Sequence, residues 1–293
     1  MTDFPFFRSM TFQDQAESIL KNQTATWSLA TRNYAALRDI RLRDFQFGQI
    51  TIRIQHNPAR AVSSLAKTDR KTLAERPCFL CAQNRPNEQI GITLFDCYEL
   101  LVNPFPIFTK HFTIASLIHE PQRLSQQKFL HMLELARLLP DYYLFYNGAH
   151  AGASAPDHFH FQAGNANFFP QSVEKVSLPF LCAKSQTTSS KEQALEWFLT
   201  MLRKLEERKQ ETEAHRDEEA MFNLFVRYIQ PYWTLTIFPR RAHRPSSYHK
   251  GTLMISPGAV DMAGVLIAAR EEDFLKITEQ DIRTLYSQTS LIL

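Results

Sequence analysis

The chain has 293 residues, of which 44% are hydrophobic and 23 are phenylalanine, enough for a sizeable core in one large domain or two smaller ones. Its 33 basic and 30 acidic residues nearly balance, which argues against a duplex nucleic-acid binder or a membrane-surface protein. No apolar stretch is long enough to span a bilayer, and the N-terminus shows no signal-peptide pattern. Four cysteines are too few for a disulfide framework, so we expect a cytoplasmic protein in a reducing compartment.

The first half of the chain combines helical and strand patterns. Apolar residues at helical spacing predict helical structure over 12–46 and over 125–139, where Ser125 is a favoured N-cap residue. Alternating or continuous apolar runs predict four strands, within residues 47–59, 98–108, 111–119 and 142–148.

The second half opens on a polar stretch, 185–193, that reads as a linker, followed by a helix over 194–220 with a charged distal half. Two strands are predicted within 221–241, two more within 251–270, and a closing helix within 271–290. Few helical patterns separate successive strands, so the sequence predicts an α+β fold with a mostly antiparallel sheet.

The stretch DHFHFQAG, residues 157–164, places two histidines and a glutamine at alternating positions, with phenylalanines between them. Because strand side chains alternate between faces, the phenylalanines are expected in a core while His158, His160 and Gln162 line one surface. A neutral imidazole is a good nucleophile toward phosphorus when an acceptor holds its other nitrogen. A glutamine amide can donate hydrogen bonds to phosphoryl oxygens without adding charge. The motif therefore indicates phosphoryl chemistry.

The segment GASAPDHFHFQ resembles the active-site segment of the nucleotidyltransferase branch of the histidine-triad (HIT) superfamily. That branch includes galactose-1-phosphate uridylyltransferase, dinucleoside tetraphosphate phosphorylases and GDP-hexose phosphorylases. The resemblance implies that His160 is the nucleophile that becomes nucleotidylated and that Gln162 is the amide that holds the phosphate. The hydrolase branch has a further histidine where Gln162 stands, so a hydrolase is disfavoured.

Other residues that resemble superfamily motifs are candidates for substrate contacts. The stretch LVNPFP is similar to a strand whose asparagine lies near the nucleotide ribose, which implies that role for Asn103. The stretch FYNGAHAGAS is similar to the segment ahead of the uridylyltransferase histidines, which implies that Asn147 and Ser154 contact phosphate.

Towards the C-terminus the stretches TLTIFPRRAH and ISPGAVDMAGVLIAAREEDF resemble the second half of tetraphosphate phosphorylases, so the resemblance covers about residues 78–274. The run FPRRAHRPSSYH is rich in arginine and histidine. A solvated charged surface is one interpretation of this run. The other is a clamp for a second phosphate or a sugar phosphate, with Arg240 and Arg241 as its candidates, because guanidinium groups fit phosphate oxygens.

The pair Cys78 and Cys81 has the spacing of two ligands of one tetrahedral metal, but it needs two more ligands. A thioredoxin-type redox pair is the rival interpretation, and the missing helical pattern after Cys81 argues against it. The resemblance to uridylyltransferases implies that the other ligands of a structural zinc are His119 and His158, with His111 as a competing third ligand. Such a zinc would brace the strand that carries His160.

Together, these observations predict two HIT-like halves, residues 1–182 with a helical N-terminal extension and residues 183–293. The implied reaction is a double displacement on a nucleotide sugar or a dinucleoside polyphosphate, with inorganic phosphate or a sugar phosphate as acceptor. No nucleic-acid or membrane partner is expected, and a homodimer is left open. The alternative from another class is a zinc-braced nucleotide-binding protein without turnover.

Overall fold

The computed structural model describes residues 10–58, 72, 75–210 and 219–293, and within them the chain forms eleven strands and eight α-helices. The strands are β1 Arg41–Phe47, β2 Ile50–His56, β3 Ile92–Leu94, β4 Tyr98–Val102, β5 His111–Ser116, β6 Tyr142–Asn147, β7 His160–Asn165, β8 Lys184–Thr188, β9 Phe222–Ile229, β10 Tyr232–Pro239 and β11 Val265–Ala268. The helices are α1 Phe12–Thr26, α2 Ser28–Ala35, α3 Gln126–Leu138, α4 Lys191–Gln210, α5 Ser246–His249, α6 Ala259–Met262, α7 Glu271–Lys276 and α8 Glu279–Thr289.

Eight strands form one antiparallel sheet in the order β3-β4-β5-β7-β6-β9-β10-β8, and β1, β2 and β11 form a second, smaller sheet. In the described residues only β11 pairs in parallel, with β2, so the predicted α+β class with a mostly antiparallel sheet is confirmed. Strands β6 and β9 pair with each other although they lie on opposite sides of the expected boundary after residue 182. The division into two halves therefore stays a prediction.

The large sheet has a separate hydrophobic core on each face, as the alternation along β6 shows. Tyr142, Leu144 and Tyr146 pack into a cluster with α1, α3 and α4. Tyr143 and Phe145 point the other way, into a cluster with the small sheet and the C-terminal helices. No helix in the described ranges has the length and apolar character that crossing a membrane requires.

The expectation of helical structure over 12–46 is wrong in its last third. Helix α1 begins after Thr11, whose side chain accepts a hydrogen bond from the Asp14 N–H, and α2 ends at Ala35. Residues from Arg41 onward form β1 instead, because they pair with β2 through a tight turn at Gly48, whose φ of +64° suits glycine.

The segment 185–193 is not a linker. It contains most of β8, which extends the large sheet by pairing with β10, and the Thr187 and Thr234 hydroxyls meet across the pair at 3.1 Å. The helix expected over 194–220 is α4, which begins earlier, at Lys191. Residues 211–218 of that prediction lie outside the described ranges.

Two further corrections concern the C-terminal region. Only one of the two strands expected within 251–270 forms, because the Met254 N–H donates to the Asp273 carboxylate rather than to a strand, and Pro257 has no N–H to donate. The single helix expected within 271–290 is two helices. Thr278 caps the second of them by accepting a hydrogen bond from the Asp281 N–H.

Candidate active site and metal cluster

A cavity of about 470 Å³ lies against the sheet face that carries His160 and Gln162. Its walls come from β7, from the loop that precedes β7, from residues after β10 and from the N-terminal helices, which contribute Trp27 and Leu29. The cavity therefore brings together parts of the chain that lie more than 200 residues apart.

The histidine motif is split between a turn and a strand. Strand β7 begins at His160, and Phe159 and Phe161 are fully buried in the core on the helix-covered face, as expected. His158 precedes the strand, contrary to the expectation that it shares a strand face with His160. The reason is that its N–H bonds the Ala155 carbonyl at 3.2 Å, which turns the chain.

His160 is held in one tautomer. Its Nδ1 lies 2.9 Å from the His158 carbonyl oxygen, which can only accept, so Nδ1 carries the proton and Nε2 keeps its lone pair. The ring lines the cavity and is 3% exposed. Burial lowers the pKa of His160 to about 4, against the opposing effect of the hydrogen bond to His158, and therefore keeps the imidazole neutral.

Gln122 fixes the backbone around His160. Its amide oxygen accepts the His160 N–H at 2.8 Å, and its amide nitrogen donates to the carbonyls of Asn147 and His160 at 2.9 and 3.0 Å. The sequence analysis missed this residue, because a glutamine in the loop segment EPQ carries no periodic or motif signal.

Gln162 is oriented by His111. The Ile107 N–H donates to His111 Nδ1 at 3.2 Å, so the ring proton lies on Nε2, which is 2.9 Å from Gln162 Oε1. With its oxygen accepting from His111, Gln162 directs its amide N–H groups to the cavity that it lines. His111 thus orients Gln162. It does not belong to the cluster of possible metal ligands found among the described residues.

The three expected substrate contacts, Asn103, Asn147 and Ser154, all line the cavity. Both ends of the Asn103 amide already bond within the protein, to Thr113 Oγ1 at 3.1 Å and to the Phe105 N–H at 2.9 Å. The Asn147 oxygen likewise accepts from the Asn223 amide and from the Ala259 N–H. These two asparagines shape the walls, whereas the Ser154 side chain has no hydrogen bond to any described residue.

The two arginines expected at the second phosphate do not line the cavity. Arg240 is 2% exposed, and its guanidinium donates to five carbonyl or amide oxygens and contacts a sixth at 3.5 Å. Burial lowers the pKa of Arg240 to about 10, with Asp261 acting in the opposite direction. Arg241 is exposed at the surface. Among the residues that the structure describes, Arg76 and Arg244 are the arginines that line the cavity.

Cys78, Cys81, His119 and His158 come together beside the cavity, and their ligand atoms all lie within 4.8 Å of one another. Cys78 Sγ is 3.3 Å from His158 Nδ1, and Cys81 Sγ is 3.3 Å from His119 Nδ1. Tetrahedral coordination with ordinary zinc bond lengths places sulfur and nitrogen ligands about 3.5 Å apart. The four side chains therefore fit one tetrahedral metal ion.

The histidines of the cluster have partners for their other ring nitrogens. His158 Nε2 donates to the Ser116 carbonyl at 2.8 Å, which leaves Nδ1 for a metal. His119 Nε2 lies 4.0 Å from a carboxylate oxygen of Asp157, which also pairs with Arg76 at 3.0 Å. Burial acts to raise the pKa of the Cys78 thiol, but the neighbouring His158 ring and backbone N–H groups lower it to about 6, which favours a thiolate.

A family model described as a domain of unknown function, DUF4922, matches residues 19–165, which include the four cluster residues and the histidine motif. The chain belongs to this family. No curated protein matches the sequence. The region after β7, including the cavity wall formed by residues 243–261, lies outside the DUF4922 match.

Two solved structures of one yeast enzyme share the fold over nearly the whole chain. Yeast Ap4A phosphorylase Apa2 is similar at 15% identity and a TM-score of 0.59, over 92% of this chain and 97% of that chain. The same yeast enzyme in complex with Ap4A gives 17% identity and a TM-score of 0.56, over 92% and 97%. An ADP-glucose phosphorylase from Arabidopsis thaliana with bound ADP-glucose gives 13% identity and a TM-score of 0.37, over 86% and 100%. The yeast structures show that this DUF4922 chain shares the fold of an Ap4A phosphorylase, one of the enzyme classes that its motifs resemble.

Proposed function

We propose that this protein is a nucleotidyl-transferring phosphorylase that acts through a covalent intermediate on His160. The observation that carries the proposal is the state of that ring: Nδ1–H is held by the His158 carbonyl, and Nε2 is left with its lone pair on a residue that lines the cavity beside Gln162. The likeness to a yeast Ap4A phosphorylase supports it at the level of the fold.

In the first step His160 Nε2 attacks the α-phosphorus of a nucleotide sugar or a dinucleoside polyphosphate. The N–P bond forms as the bond from phosphorus to the bridging oxygen breaks, and that oxygen leaves with the electron pair as part of a phosphorylated product. The ring of the adduct is positively charged, and the His158 carbonyl stabilises this charge by accepting the Nδ1–H. Amide N–H groups of Gln162 bind the phosphoryl oxygens, where charge builds up.

In the second step an oxygen of the acceptor, inorganic phosphate or a sugar phosphate, attacks the same phosphorus. The P–N bond breaks and its electron pair returns to Nε2, which restores the neutral ring. With inorganic phosphate the products are a nucleoside diphosphate and the group released in the first step. Because the dianionic acceptor attacks through an ionised oxygen, this step needs no proton transfer from the protein.

The proposal includes a structural zinc ion beside the cavity. The donor set of two thiolates and two imidazoles fits zinc, with Cys78, Cys81, His119 and His158 as ligands. Bound zinc would hold the His158 side chain in place, and the carbonyl of the same residue orients the His160 ring. The metal would therefore stabilise the position of the nucleophile without taking part in the reaction.

The test is intact-protein mass spectrometry after incubation with GDP-glucose, ADP-glucose, UDP-glucose or diadenosine tetraphosphate, without phosphate. We expect one donor to add the mass of its nucleotidyl group, which is its nucleoside monophosphate less one water, to the wild type and to the His131→Asn control, which changes a histidine on α3. His160→Gly should show no adduct. Reversible binding of these donors without any adduct would favour the alternative, a nucleotide-binding protein without turnover.

A further inference from the structure

One wall of the cavity contains none of the residues assigned so far to the chemistry at His160. It is formed by residues after β10 and includes His243, Arg244 and Ser256, which line the cavity together with His160 and Gln162. These three residues lie outside the part of the chain that the family model matches.

The Arg244 guanidinium is anchored on two sides. Its Nε donates to Ser256 Oγ at 2.9 Å, and its carbon lies 4.3 Å from the centre of the Tyr248 ring. The two terminal nitrogens of Arg244 have no hydrogen-bond acceptor in the described part of the chain. Those nitrogens form the forked edge with which arginine binds two oxygens of a phosphate at once.

Charge on this wall is unbalanced at Arg244. Asp261 also lines the cavity, but its carboxylate accepts the N–H groups of Gly258 and Ile267, both at 2.9 Å, and the buried Arg240 interacts with it electrostatically. Arg244 has no carboxylate within ion-pair distance among the residues that the structure describes. The wall therefore presents one uncompensated positive charge to the cavity.

His243 contributes to the same arrangement without adding charge. Its Nε2 lies 3.1 Å from Ser256 Oγ, so the serine hydroxyl is held between the histidine ring and Arg244 Nε. Burial and the neighbouring Arg240 and Arg244 lower the pKa of His243 to about 3, which keeps the ring neutral. In the tautomer with the ring proton on His243 Nε2, the serine oxygen accepts from both neighbours and its own O–H is left to donate to a phosphate oxygen.

We propose that Arg244 and Ser256 form a second oxyanion subsite, which binds the dianionic phosphoryl group of the acceptor, either free phosphate or the phosphate of a sugar phosphate. The inference rests on the proposed function, because the acceptor matters only if a nucleotidyl group waits on His160. The bound acceptor supplies the oxygen that forms the new P–O bond while the P–N bond to His160 Nε2 breaks.

The test separates loading of His160 from its discharge. Wild-type protein and Arg244→Gln are first loaded with the donor in the absence of phosphate, and discharge of the adduct is then followed by mass against phosphate concentration. Loading is continued until each protein carries its full amount of adduct, so that discharge is compared between equally loaded proteins. The phosphate concentration for half-maximal discharge should rise at least about tenfold in Arg244→Gln, which loses a charge-assisted forked contact. Arg244→Lys, which keeps the charge but not the fork, should fall between the two.

The control is Arg203→Gln, which changes an exposed arginine on α4 and should behave as the wild type. A parallel arm replaces phosphate with glucose 1-phosphate, and the acceptor that discharges the adduct at the lower concentration is the physiological class. Unchanged phosphate dependence in Arg244→Gln would overturn the subsite.

If the wild type forms no adduct, the proposed function fails, and titration calorimetry with inorganic phosphate alone still decides the subsite. At least tenfold weaker binding to Arg244→Gln than to the wild type would support it, and equal or absent binding in both would refute it.

Discussion

His111 Nε2 lies 2.9 Å from Gln162 Oε1, while Nδ1 of the same ring accepts the Ile107 N–H. A main-chain donor thus determines the histidine tautomer, and the histidine in turn determines which end of the glutamine amide faces the cavity. A glutamine turned the other way would present its oxygen to a phosphate and repel it.

Replacing His111 with Phe should therefore act through Gln162. The phenyl ring retains the shape of a residue that is fully buried but cannot donate to Gln162 Oε1. We expect the rate of adduct formation at His160 to fall roughly five- to tenfold, the equivalent of one lost hydrogen bond. In a Gln162→Ala background the same change should cost nothing further. Independent, additive losses in the double variant would show that His111 has only a packing role.

The metal cluster should hold close to one zinc ion per chain. Changing Cys78 to Ser should lower the zinc content measured by elemental mass spectrometry, and it should lower the thermal unfolding midpoint as well, because a closed tetrahedral site contributes folding free energy. Adduct formation should slow too, since His158 orients His160. Cys97→Ser, outside the cluster, is the control. Protein that is isolated without chelators and contains no zinc would contradict this prediction.

Glu219 should make stability depend on pH. It accepts the Leu124 N–H at 2.7 Å and the Tyr146 hydroxyl at 2.6 Å, and burial raises its pKa from 4.5 to about 7. Between these two values the folded protein binds more protons than the unfolded chain, so the contribution of Glu219 to stability is full below pH 4.5 and is lost as the pH rises to 7. The loss is on the order of 3 kcal/mol.

Urea unfolding of the wild type and of Glu219→Gln at pH 5 and at pH 7.5 measures this contribution. The glutamine does not titrate, so the variant should be more stable relative to the wild type at pH 7.5 than at pH 5. An equal difference at both values would rule out Glu219 as the titrating group.

Gly152 lies where two loops of the cavity meet. Its φ is +103°, and a Cβ at this position would lie 2.6 Å from the Gly258 Cα. Gly251 has a similar backbone conformation, with a φ of +70°, but a Cβ there would meet nothing within 4 Å. Gly251→Ala should therefore cost only the backbone strain, about 1 kcal/mol of unfolding free energy, whereas Gly152→Ala should cost clearly more. Equal losses, measured by urea unfolding, would show that the contact with Gly258 relaxes freely.

The features that could be predicted from the sequence are those that depend on residues close together in the chain. Period-two alternation placed Phe159 and Phe161 in a core, and the Cys-x-x-Cys spacing marked Cys78 and Cys81 as half of a ligand set. The other half, His119 and His158, came from a family resemblance, and the structure brings all four residues together.

What the sequence did not predict depends on long-range contacts. Arg240 and Arg244 are four positions apart in one basic run, yet one is buried against carbonyl oxygens and the other lines the cavity. Contacts with residues distant in sequence, among them Asn223 and Pro257, hold Arg240 in the interior. Strand β8 was missed for a similar reason, since a polar edge strand is defined by the neighbour it pairs with.

The N-terminal helical region helps to shape the cavity and to hold the strand that carries His111. Trp27 and Leu29 form part of the cavity wall, and nearby the Asn33 amide and the Tyr34 hydroxyl donate to the carbonyls of Pro104 and His111. A shortened chain that begins after these helices would have a wider, more open cavity and a less constrained His111. Ligand screens on such a chain would report the preferences of an altered binding volume, so only the longer chain is suitable for identifying the natural donor.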